Sequence, residues 1–231
     1  LVERFGEHPR MREALLKRGD LPATVRHALM LRVAQSLGGF VTDGGFLNAA
    51  RKARVMDETT QTGTVAIARG TTDLGAFIAH LRGNGQLTPA LLLRSVLGGD
   101  TAFIAAALAD LCEMDPARVA GLVASRAEAA MAALLRRAGL PAFLHPVLNA
   151  AIRAAAGLPA AERRGDFSLA VIRAAQSACI DIPGEEGVRL MALLRRYEAD
   201  AARQQSRTLA ESLRREVSAE RAQFSLLPPD I

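Results

Sequence analysis

A reactive centre in this 231-residue chain would have to draw on four histidines, two cysteines and scattered serines and carboxylates. Cys112 and Cys179 both lie in apolar runs, surroundings that raise a thiol pKa, so they read as two buried thiols more readily than as nucleophiles, a disulfide or metal ligands. His8, His27, His80 and His145 are far apart, and none has a second His, Cys or carboxylate at ligand spacing. The serines lack a matching His/Asp set. Gly83-Asn84-Gly85 and Gly98-Gly99-Asp100 follow no strand, so they read as turns and not as phosphate loops. The expectation is a non-enzymatic protein with no cofactor and no metal.

Two arginine-containing patterns remain as candidate sites. Arg94 sits in the apolar stretch Leu91-Leu92-Leu93-Arg94-Ser95-Val96-Leu97, and Asp100 stands where it would cap the next helix. The two are placed to meet across Gly98-Gly99 as a charge-assisted lock, or to leave the guanidinium for an acidic ligand. The second pattern, Leu108 to Leu122, has the spacing of a helix-turn-helix. Its would-be recognition helix carries Ala117, Val119, Ala120, Leu122 and Val123, with only Arg118, Ser125 and Arg126 able to reach base edges. Reading a major groove takes several polar side chains on one face, so nucleic-acid binding is the alternative reading and a protein partner the leading one.

The elements that must position these residues are helical. Alanine supplies about one residue in five, Trp is absent, Tyr occurs once and aromatics total 4%, a composition for closely packed helices. Half the residues are apolar, enough for a sizeable core. The net charge of +5 is almost wholly arginine, Lys17 and Lys52 being the only lysines, and the arginines alternate with acids along most of the chain. With no signal-peptide pattern and no apolar run near 18 residues, the expectation is a cytoplasmic protein that does not enter the membrane.

Proline or small polar residues open the apolar-periodic runs and glycine closes them. This punctuation predicts helices near 9–18, 22–37, 46–69, 73–82, 88–98, 100–112, 115–124, 127–138, 142–156 and 166–180, then a long one near 185–223, and no strand. Asp115 and Asp166 read as further N-caps. The short connections force successive helices into antiparallel hairpins. One turn recurs: Leu15-Leu16-Lys17-Arg18-Gly19-Asp20-Leu21-Pro22-Ala23 matches Leu134-Leu135-Arg136-Arg137-Ala138-Gly139-Leu140-Pro141-Ala142, with Leu29 answering Leu148. That is the punctuation of a helical-repeat stack. A break, kink or exposed turn is expected at Asp57 to Thr64, where four threonines and a glycine interrupt the pattern. Boundaries fall at Gly83-Asn84-Gly85 and Asp181-Ile182-Pro183-Gly184, dividing the chain into 1–82, 83–183 and 184–231. The last region reads as carrying Leu190, Leu194 and Tyr197, then Leu209, Leu213, Val217 and Phe224, on one side. Between them, Ala201 to Ser206 lacks large apolar residues, so the far half packs back on the body or reaches a partner, a homodimer through this helix being one form.

The segment Gly85-Gln86-Leu87-Thr88-Pro89-Ala90-Leu91-Leu92-Leu93-Arg94, continuing through Gly99-Asp100-Thr101-Ala102-Phe103-Ile104 to Ala107-Leu108-Ala109, resembles the alphaproteobacterial family called domain of unknown function 2336. Ala138-Gly139-Leu140-Pro141 adds to the likeness, which covers most of residues 1–180. The resemblance implies a helical body whose amino-terminal part is similar to HEAT-type repeats, and it brings no catalytic residue. Together these readings give an all-α stack of antiparallel hairpins, HEAT-like and solenoid-like, with a long carboxy-terminal helix. A protein-binding scaffold or regulatory module is the expected role, and an Arg-dependent binder of nucleic acid or acidic ligands the alternative.

Overall fold

The computed structural model describes residues 10, 15, 18, 20–43, 49–159 and 167–225. Ten α-helices follow one another among these residues: α1 Ala23–Asp43, α2 Ala49–Arg69, α3 Leu74–Gly83, α4 Pro89–Leu97, α5 Thr101–Cys112, α6 Pro116–Ser125, α7 Glu128–Arg137, α8 His145–Gly157, α9 Leu169–Cys179 and α10 Gly184–Ser225. A single 3-10 turn, Ala142–Leu144, precedes α8. No strand occurs among the described residues. Most of the helix expected near 9–18, Leu16, Lys17 and Gly19 of the first copy of the recurring turn, and the Asp166 cap lie outside them.

The caps explain where the helices start. Asp73, Thr88, Asp100 and Asp115 each accept a backbone N–H three residues on, from Ala76, Leu91, Phe103 and Arg118, at 2.8 to 3.2 Å. Pro89 and Pro116 follow two of these caps, where a missing N–H costs nothing.

Helix α4 is the hub. Leu91, Leu92, Leu93, Val96 and Leu97 are all buried, and α4 packs against α2, α5, α8 and α9. The hairpins α1–α2, α5–α6, α8–α9 and α9–α10 stack around it, and one apolar cluster runs from Ala23 to Ala201. The Ser168 N–H donates to the Leu97 carbonyl at 2.9 Å, fastening the start of α9 to the end of α4. Leu29 and Leu148, the partners in the recurring turn, are both fully buried.

The helix is not broken between Asp57 and Thr64: α2 continues from Ala49 to Arg69. The hydroxyls of Thr59, Thr62 and Thr64 donate to the carbonyls of Val55, Glu58 and Thr60 at 2.6 to 2.8 Å, so the threonines are satisfied within the helix instead of competing with it. Gly63 lies at a close helix contact. A Cβ there would stand 2.1 Å from Met30 Sδ of α1.

The same hairpin buries a histidine. His27 is fully buried, its Nε2 lies 3.1 Å from Thr64 Oγ1, and its ring meets those of Phe77 and His80 edge-on at 5.6 Å. The Thr64 proton goes to the Thr60 carbonyl, which makes the His27 Nε2–H the donor and leaves Nδ1 without a partner. Burial, with His80 alongside, lowers the His27 pKa to about 4.

Candidate interaction site

Arg94 and Asp100 do not form the expected lock. The N-cap role holds one Asp100 oxygen at the Phe103 N–H, 2.9 Å away, and the other faces Arg69 Nε at 3.4 Å. Asp100 therefore ties the start of α5 to the end of α2. Arg94 finds aromatic partners instead: its guanidinium carbon stands 5.0 Å from the Phe167 ring centroid and 5.3 Å from that of Tyr197. A half-buried cation over two rings keeps an attractive partner without a carboxylate, which is why the lock is unnecessary.

The two rings are 4.8 Å apart, and Tyr197 is buried on α10. Arg94 thus joins the hub helix, the lead-in to α9 and the long helix. Burial pushes the Tyr197 phenol up, and the guanidinium opposes that shift.

Beside this junction, α2 and α10 flank a cleft of about 570 Å³, lined by Arg54, Asp57, Glu58, Gln61, Leu193 and Tyr197 among others. An Arg196–Glu58 ion pair crosses it. Gln61 Nε2 donates to Asp57 Oδ2 at 2.8 Å, which turns the buried Gln61 Oε1 toward no partner. The cleft offers paired charges and a free amide acceptor, chemistry suited to holding a polar surface. The Asp57/Gln61 spacing of four was the signal for it. Read as part of a break, that spacing lost its meaning as one helix face.

The helix-turn-helix-like segment becomes α5 and α6. Val119 and Val123 are buried, and the outer face of α6 is Ala117, Ala120, Gly121 and Ala124 with the exposed Arg118. Arg126 ends α6 in a left-handed conformation, φ 56°, and its Nη1 lies 3.3 Å from where a Gly157 Cβ would stand. Arg94 and Asp100 accordingly have separate partners, and Arg118 and Arg126 are exposed near the two ends of α6. Cys112 and Cys179 are free, buried thiols whose pKa values burial raises.

Helix α10 is 42 residues long and has two unlike halves. Leu190, Leu194, Tyr197 and Ala201 are buried against the body. Beyond Ala201, Leu209 is 61% exposed and Leu213, one turn on, 52%. The expected single side does not hold for Leu209 and Leu213. At 3.6 residues per turn, Leu209 and Leu213 stand about 110° around the axis from the mean direction of the buried four. No helix among the described residues is long and apolar enough to cross a membrane.

Residues 1–179 match the DUF2336 family, described as an uncharacterised protein conserved in bacteria, and the chain belongs to that family. The match ends where α9 ends, so α10 lies outside it. Neither a curated protein nor a solved structure matches the chain.

Proposed function

We propose that this member of the DUF2336 family is a non-enzymatic, HEAT-like helical module that presents α10 to another protein. The observation that carries this reading is the pair of exposed leucines, Leu209 and Leu213, on the part of α10 beyond the buried Ala201. A leucine gains roughly 1.5 to 3 kcal/mol on full burial, so a second apolar surface would be held by two of them. The stacked body, held to α10 by the Arg94–Phe167–Tyr197 contact, is the scaffold. The free, buried thiols suit a reducing compartment, and the cytoplasm is the proposed location.

Affinity capture from native cells with the intact chain and with a Leu209→Glu/Leu213→Glu variant tests this. The reading expects at least one protein to be captured by the first and lost by the second, at an unchanged melting temperature. Identical captured sets would overturn it.

A further inference from the structure

The far half of α10 has a sidedness that names the kind of partner it fits. With Leu213 set at zero and about 100° per residue, Leu209 stands near −40°, Ala202 near −20° and Ser206 near +20°, so one narrow face is apolar and small. Arg203, Arg214 and Arg207 stand near +80°, +100° and +120°, a row of arginines along one edge of that face. Gln205 and Ser212 hold the opposite edge, near −80° and −100°. The acids Asp200 and Glu211 lie behind the arginine row, near +140° and +160°. Arg203 pairs with Asp200, and from Ala202 to Arg215 the helix carries four arginines against one acid, Glu211.

The body does not cover this face. The direction that Leu190, Leu194, Tyr197 and Ala201 present to the core is carried onward by Gln204, Gln205, Ser212 and Arg215, all polar. An apolar seam edged by cations on one side is complementary to a helix with its own apolar seam and a row of carboxylates. A second copy fits poorly: antiparallel pairing sets arginine row against arginine row, and parallel pairing sets it against Gln205 and Ser212. An anionic bilayer favours cations on both edges of the apolar face, and here Gln205 and Ser212 hold one of them.

We infer that the arm beyond Ala201 docks an acidic amphipathic helix of another protein, with Leu209 and Leu213 in the shared seam and the Arg203–Arg207–Arg214 row against its carboxylates. This rests on the interaction role proposed above and adds the charge of the partner.

Fluorescence anisotropy of the intact chain with labelled synthetic helices of about four heptads, Leu at the seam positions, tests it. One peptide carries Glu at both flanks and the other Lys. The Glu-flanked peptide is expected to bind at least about tenfold more tightly, with an advantage that shrinks in high salt. Arg207→Glu/Arg214→Glu should reverse the order, and Leu209→Glu/Leu213→Glu should remove binding of both. Equal affinity for the two peptides, including no binding of either, contradicts the inference. So does tighter binding to phosphatidylglycerol vesicles, or a dimer in sedimentation that Leu213→Glu dissolves. If native capture depends on the two leucines while the peptides bind alike, acid recognition fails and the interaction role stands.

Discussion

The two halves of α10 share one helix but answer to different surroundings. Gly184 to Ala201 turns Leu190, Leu194 and Tyr197 into the core, and Tyr197 is clasped by Arg94. Past Ala201, Leu209 and Leu213 are rotated by about 110° and stand in solvent. A continuous helix therefore does not mean a continuous interface. The direction of the stripe, more than its hydrophobicity, decides what a helix can pack on.

The strongest way to break this comparison is to truncate the equivalent residue in each half. Leu194→Ala removes a fully buried side chain and should cost about 2 to 5 kcal/mol in denaturant unfolding, while Leu213→Ala should stay within about 0.5 kcal/mol. Equal losses would mean that both halves pack on the body.

Acid sharpens the same contrast. His27 has its pKa held at about 4 in the fold against an ordinary value of 6.5, so the unfolded chain binds the proton first. Stability is then undiminished above about pH 6.5 and falls as pH drops toward 4, by on the order of 3 kcal/mol in all. Denaturant midpoints between pH 7 and 4.5 should show the loss, and His27→Phe should flatten it. The arm beyond Ala201, with no buried titratable group among its described residues, should add nothing to that slope, so an Ala201-truncated chain should keep it.

At the root of α10, a Cβ on Gly187 would stand 2.1 Å from the Ile182 carbonyl oxygen. Gly187→Ala must therefore shift the α9–α10 turn and should cost about 1 to 3 kcal/mol, read as a lowered melting temperature. The smallest expected effect within the body is Asp100→Ala, which loses a cap and the Arg69 pair, about 1 kcal/mol by denaturant unfolding.

The helical class, the caps at Asp100 and Asp115 and the central place of Leu91 to Leu97 were legible because each rests on local spacing. Three things were not. The threonines of α2 look like breakers until their hydroxyls are seen to bond the preceding turn. Arg94 looks like a partner for Asp100 because both are near in sequence, whereas Phe167 and Tyr197 reach it from 73 and 103 residues away. The apolar residues of α10 look like one stripe because each half is periodic, and the polar stretch between them hides the change of phase.

Amide hydrogen exchange along α10 of the intact, unliganded chain tests the division of this helix most directly. Protection through Leu190 to Ala201 should approach that of the core helices, and residues 203 to 215 should exchange at least about a hundredfold faster. Uniform protection from Leu190 to Arg215 would contradict the account, because the arm would then already be packed on its own body.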